Sequence, residues 1–255
     1  MKPTMQQIQD ARFVLANKRV EERRRTAYRE PAKVWELIDS LKELAGLRED
    51  QSDWARAEQL YREAIAHARN ARHPRPEVTF ELQSHLGYLY DRLSEPEKAV
   101  TAYRDALELA ERNSVADPDG LGVVNNNLAL LHKSRGEFTQ AQHRYDHALH
   151  YLRATHGEQS PKVASVYNNL GVLHYEARDI TRALQLHQRA LAIRQQLNLN
   201  EHPLAARDLS QSFTNLSHVY RTMGDEGKAD FYQKQAAEAL AFLNAVPGGV
   251  PETLL

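Results

Sequence analysis

His143, His147 and His150 recur at i, i+4 and i+7, which puts three imidazoles on one helix face. That spacing could gather a metal ion. Only Asp146 offers a nearby carboxylate, and the face is expected to point outward, so a solvated histidine face competes with the metal reading. The run Arg23-Arg24-Arg25 could hold an acidic partner, an anionic membrane surface or RNA, and a plain solvated helix face competes with all three. No Gly-rich phosphate loop, nucleophile motif or paired carboxylates stand out, so no enzyme activity, cofactor or resident metal is expected.

The elements that would carry these residues follow from one repeat. Ala57, Ala99, Ala141 and Ala183 are spaced by 42 residues, and Ala229 follows after 46. Each is trailed seven residues later by a second alanine: Ala64, Ala106, Ala148, Ala190 and Ala236. Each is preceded by thirteen residues by a leucine: Leu44, Leu86, Leu128, Leu170 and Leu216. One structural unit is written five times, and self-similarity at this period signals a stacked array. Such an array turns attention from a catalytic core to surfaces and partners.

The third copy shows the unit. Val124, Leu128 and Leu131 recur at helical spacing, as do Ala141, Tyr145, Ala148 and Leu149, with Arg135-Gly136-Glu137 as a tight turn between them. This predicts a helical hairpin with helices over about 120–134 and 138–154. Every turn carries an acid: Asp53, Glu95, Glu137, Asp179 or Asp225. A carboxylate there is expected to accept from orphan N–H groups of the second helix. His73-Pro74, Asp117-Pro118, Ser160-Pro161 and His202-Pro203 separate successive hairpins, because proline disfavours a helical residue before it. The alanines let the paired helices approach. Tyr61, Tyr103 and Tyr145 fill the space beyond, and His132 and His174 take a packing position held by tyrosine elsewhere.

Of the 255 residues, 42% are apolar and 26% charged, as in ordinary water-exposed domains. The absence of cysteine excludes disulfides and thiolate catalysis and fits a reducing, cytoplasmic setting. No apolar stretch is long enough to span a membrane. Residues 1–35 hold nine Lys or Arg against four Asp or Glu, about +5, while the remainder sums to about −6. The acids Asp10, Glu21, Glu22 and Glu30 argue against an organelle transit peptide. The body lacks the basic face that nucleic acid would require.

The run Asn169-Leu170-Gly171, His174, Asp179, Ala183, His187 and Ala190-Leu191 resembles the tetratricopeptide repeat. Leu86-Gly87, Tyr90, Ala99, Tyr103 and Ala106-Leu107 make the nearest copy. The likeness covers about residues 38–243. The lengthened period, the Pro-containing linkers and Asn126-Asn127-Leu128, Asn168-Asn169-Leu170 and Thr214-Asn215-Leu216 are similar to kinesin light chain-type repeats. The resemblance implies an all-α fold: a right-handed superhelical array of five hairpins with an extra N-terminal helix. The expected domains are a basic N-terminal capping helix over 1–32, five repeats over 33–245 and a disordered tail over 246–255. Ile8, Ala11 and Leu15 form the expected inward stripe of the N-terminal helix. Gln233 and Ala237 replace the usual aromatic and leucine of the last hairpin, as suits a terminal repeat.

By the same resemblance, the first helices line a concave groove. Its expected contact residues are His85, Asn126, Asn127, Leu130, Lys133, Asn168, Asn169, Tyr175, Asn215, His218 and Arg221, with Ser84 beside them. Carboxamides donate and accept, so an asparagine row could bond an extended peptide. The competing reading is that Asn127, Asn169 and Asn215 only join adjacent first helices. Some family members clamp a C-terminal carboxylate with basic groove residues. That set is missing here, since Asn126, Asn169, Gln211 and Asn215 occupy the positions and Lys42 has no basic successor. The expectation is a cytoplasmic, non-enzymatic adaptor holding a peptide or protein partner and no nucleic acid. A self-associating homo-oligomeric scaffold and a peptide-responsive sensor are the alternatives.

Overall fold

The computed structural model describes residues 4–197, 199 and 204–245. Among them there are eleven α-helices and no strand. In chain order they are α1 (Met5–Arg29), α2 (Val34–Asp50), α3 (Trp54–Arg69), α4 (Pro76–Arg92), α5 (Pro96–Asn113) and α6 (Pro118–Ser134). Then follow α7 (Phe138–His156), α8 (Pro161–Glu176), α9 (Ile180–Arg194), α10 (Ala205–Thr222) and α11 (Glu226–Ala245). A short 3-10 turn, Pro31–Lys33, joins α1 to α2. The helices from α2 onward pair as five hairpins, and α1 stands before them as the extra helix. Residues 246–255, expected as a disordered tail, and His202-Pro203 lie outside the described residues. The chain divides into two compact units, one ending at Gly120 and one beginning at Leu121.

The alanine ladder is the hairpin interface. Ala57, Ala99, Ala141, Ala183 and Ala229 are fully buried, and the second alanines and the preceding leucines are buried with them. Each buried leucine contributes about 1.5–3 kcal/mol. The close approach is visible at Gly87 and Gly171. A Cβ on Gly87 would stand 2.6 Å from the Tyr103 ring, and one on Gly171 would stand 2.6 Å from the His187 ring. Glycine on the first helix thus makes room for the aromatic ring of the second.

The five turns share one backbone solution. In each, the acidic residue's N–H donates to the carbonyl five residues back: Asp53 to Arg48, Glu95 to Tyr90, Glu137 to His132, Asp179 to His174 and Asp225 to Tyr220, at 2.8–3.0 Å. The residue before the acid is left-handed: Ser52, Ser94, Gly136, Arg178 or Gly224. This is the Schellman termination, which satisfies carbonyls that the helix end would otherwise orphan. The capping expectation needs correction. Asp179 and Asp225 do cap, accepting from the N–H of Arg182 and Lys228 at 3.1 and 3.0 Å. Asp53, Glu95 and Glu137 make no side-chain cap. Their carboxylates turn to other side chains instead: Asp53 to Arg48 at 3.1 Å, Glu95 to Lys98 at 2.7 Å and Glu137 to the His132 ring at 2.5 Å.

The inward face of α1 also differs from expectation. Ala16 and Val20 are buried, while Ala11 is exposed and Leu15 is 56% exposed. The side chain of Ile8 lies outside the described residues. Basic side chains fix this orientation. Arg19 bonds Glu43 of α2 at 2.6 Å, and Arg24 bonds Glu63 of α3 through Nε at 2.8 Å and Nη2 at 2.6 Å. Arg23 donates to the Glu36 carbonyl at 2.6 Å. In the last hairpin Gln233 and Ala237 are exposed, and Tyr232 fills the aromatic place, stacked on Tyr220 with centroids 5.5 Å apart.

Candidate functional site: the asparagine-bearing face of the first helices

In the second unit the first helices α6, α8 and α10 are tied side to side by polar groups. Asn169 Nδ2 donates to Asn126 Oδ1 at 3.0 Å, joining α8 to α6. Asn215 Nδ2 donates to Asn168 Oδ1 at 2.8 Å, joining α10 to α8. Asn126 also donates to Asn127 at 3.3 Å, and Gln211 donates to Asn215 at 2.9 Å. A second tier lies one or two turns further along. Lys133 meets Glu176 at 2.8 Å, and the Tyr175 and Thr222 hydroxyls share a hydrogen bond at 2.8 Å.

The helices place these groups for a simple reason. The leucine beside each asparagine points into the hairpin, so the preceding positions turn toward the neighbouring first helix. The bonds run one step out of register, from one copy's first asparagine to the second asparagine of the next. Asn168 is buried, whereas Asn126, Asn127, Asn169 and Asn215 are half-buried and keep access to solvent. Leu130 is half-buried against the core cluster of Tyr145 and Tyr167. His218 and Arg221 are exposed, and Arg221 approaches Glu226 at 3.6 Å and Asp230 at 3.8 Å.

His85 belongs to the first unit, where Lys42 of α2 bonds Glu81 of α4 at 2.8 Å. His85 stacks on Tyr61, with centroids 5.5 Å apart and rings 4° from parallel. The His85 ring, 3.8 Å away, and the hydrogen bond from Lys42 hold the Glu81 carboxyl down at about 2. Burial raises Glu49 above the usual carboxylate range, despite the opposing influence of His85 and Tyr61. The Lys42–Glu81 pair is one joint that the sequence reading did not identify, since its partners lie 39 positions apart.

The remaining candidates stand apart from this face. His143, His147 and His150 are all exposed on α7. The Nε2 atoms of His143 and His147 are 3.3 Å apart, while His150 lies edge-on to Tyr151. Burial and the neighbouring His143 lower the His147 pKa. No group of three His, Cys, Asp or Glu among the described residues is placed to hold a metal. His132 and His174 are largely buried beside the turn acids Glu137 and Asp179, at 2.5 and 3.5 Å. Among the described residues, no helix is long and apolar enough to cross a membrane.

Comparison with known proteins places this architecture. A tetratricopeptide repeat model matches residues 36–112 and 121–196, and a second matches 210–239. No curated protein matches the sequence. The crystal structure of BtubC (BKLC) from P. vanneervenii is 38% identical, with a TM-score of 0.82 over 98% of this chain and 96% of that one. A Podosopora anserina protein described as a putative kinesin light chain with nearly identical TPR-like repeats has a TM-score of 0.63 at 18% identity. That match covers 82% of this chain and 97% of the other. MamA has a TM-score of 0.55 at 16% identity, covering 78% of this chain and 95% of that one. With five buried alanine hairpins and these matches, the chain belongs to the tetratricopeptide repeat family, with lengthened repeats like those of kinesin light chain-like proteins.

Proposed function

We propose that this protein is a cytoplasmic, non-enzymatic adaptor that holds an extended segment of a partner protein along the first helices α6, α8 and α10. The supporting observation is the row of half-buried asparagines on that face. Each carboxamide carries two donor hydrogens and two acceptor lone pairs, so one inter-helix bond uses only part of its capacity. The remainder suits the alternating N–H and C=O groups of an extended backbone, each bond contributing about 0.5–1.5 kcal/mol. Selectivity then comes from the charged and aromatic groups that border the row: Lys133, Tyr175, His218 and Arg221. Asn126, Asn169, Gln211 and Asn215 are all uncharged carboxamides, which suits a partner recognised along its backbone and not at a terminal carboxylate.

The test separates folding from binding. Asn127 and Asn169 are replaced together by alanine, and partner capture from native extract is compared with urea unfolding. The expected result is a loss of capture of about tenfold or more, with stability changed by about 1 kcal/mol. Intact capture with a large loss of stability would assign the asparagines to stiffening alone. A second reading, self-association, draws on the exposed Val14, Leu15 and Phe231 side chains. Light scattering that grows with concentration in the absence of partner would favour it.

A further inference from the structure

Three of the first unit's exposed arginines border two adjoining depressions. Of the run Arg23-Arg24-Arg25, the first two are engaged with Glu36 and Glu63 in holding α1 against α2 and α3. Arg25 is exposed, as is Arg29 one turn further on, and neither makes an ion pair among the described residues. Tyr28 stands beside them, 90% exposed. Arg24, Arg25, Tyr28 and Arg29 line one shallow depression.

Arg24 and Tyr28 also edge a second cavity of about 450 Å³. Pro31, Val34 and Leu37 give it an apolar floor, and Arg72, His67 and Glu63, the last held by Arg24, supply charged and polar lining. Arg72 is exposed and likewise makes no ion pair among the described residues. The two depressions share Arg24 and Tyr28, so Arg25 and Arg29 border the shallow one and Arg72 borders the one with the apolar lining.

We propose that this groove docks an acidic peptide segment of a partner protein, independently of the asparagine face. An apolar side chain of the segment seats on the floor, and flanking carboxylates meet Arg25, Arg29 and Arg72. Guanidinium pairs with carboxylate through two parallel hydrogen bonds, which fixes orientation as well as charge. A nucleic-acid strand would need the basic face to continue, but the exposed acids Glu21, Glu22 and Glu30 interrupt it. A bilayer surface would leave the concave apolar floor unfilled.

The experiment uses the full chain and fluorescence anisotropy. The probe is a short labelled peptide of Glu and Asp around a central leucine, compared with polyuridine RNA and phosphatidylserine vesicles. Saturable peptide binding is expected, weakened about tenfold or more in R25E/R29E and about threefold in Tyr28→Ala. The control R104E/K234E carries the same change of net charge and is expected to bind as wild type. All these side chains are exposed, and unchanged thermal melting confirms that the variants fold. Absent peptide binding, equal weakening by the control, or tighter binding of RNA or vesicles than of peptide would each overturn the proposal.

Discussion

Replacing Ala141 with phenylalanine is expected to destabilise the protein by about 3 kcal/mol or more. Ala141 is fully buried, in a cluster with Ala129, Tyr145 and Ala148. It sits where α7 approaches α6, one turn after the hairpin closes at Glu137. A phenyl group has no place there unless the two helices separate, which would break packing along the whole hairpin. The neighbouring Gln140 is exposed, so Gln140→Phe is expected to stay within about 0.5 kcal/mol of wild type. Urea unfolding of both variants checks the register. Equal shifts would show that the alanine ladder is not the helix interface.

Acid is expected to destabilise the second unit through His187. This histidine is 2% exposed and takes the position that Tyr61, Tyr103 and Tyr145 hold in the first three hairpins. Burial, with Arg194 adding repulsion, pushes its pKa down to about 4. In the unfolded chain it titrates near 6.5. Between those values the unfolded state binds the extra proton, so stability is full above about 6.5 and falls as pH drops toward 4. The loss reaches about 3 kcal/mol across that window. His174 adds to the trend, since burial lowers its pKa as well. The carboxyl of Glu81 acts at lower pH: held at about 2, it loses its favourable pairing only as pH falls below the ordinary carboxylate range. His187→Phe is expected to flatten the slope between pH 6.5 and 4, measured by urea unfolding at a series of pH values. An unchanged slope would locate the acid sensitivity elsewhere.

The hairpins were legible in the sequence because their packing is local. Ala57 and Ala64 must face the helix that Leu44 faces from the other side, and the same three residue types return at each period. The Arg135-Gly136-Glu137 turn was legible for the same reason, since a glycine between two apolar periodicities has few uses. What stayed hidden depends on contacts between distant residues. The buried side of α1 is set by Arg19 and Arg24, whose partners Glu43 and Glu63 lie 24 and 39 positions away. Those arginines face inward, and of the expected apolar stripe the described Ala11 and Leu15 lie on the exposed side.

The candidate face was legible only in part. Its asparagines could be read, but not their pairing, because Asn169 reaches Asn126 and Asn215 reaches Asn168 across a register offset. Side-chain direction around a helix is set by the neighbouring helix, which repeat spacing does not encode. The same limit applies to the arginine run. Adjacent in sequence, Arg24 and Arg25 differ in what they meet: Arg24 bonds Glu63, while Arg25 is exposed and lines a depression with Tyr28 and Arg29.

The central claim is that a partner lies along α6, α8 and α10. Its most direct test is a photo-crosslinking amino acid placed at His218, on that face, and in a second variant at His150, exposed on α7. After irradiation in native extract, covalent partner adducts are expected from position 218 and not from position 150. Adducts from position 150 with none from 218 would contradict the account.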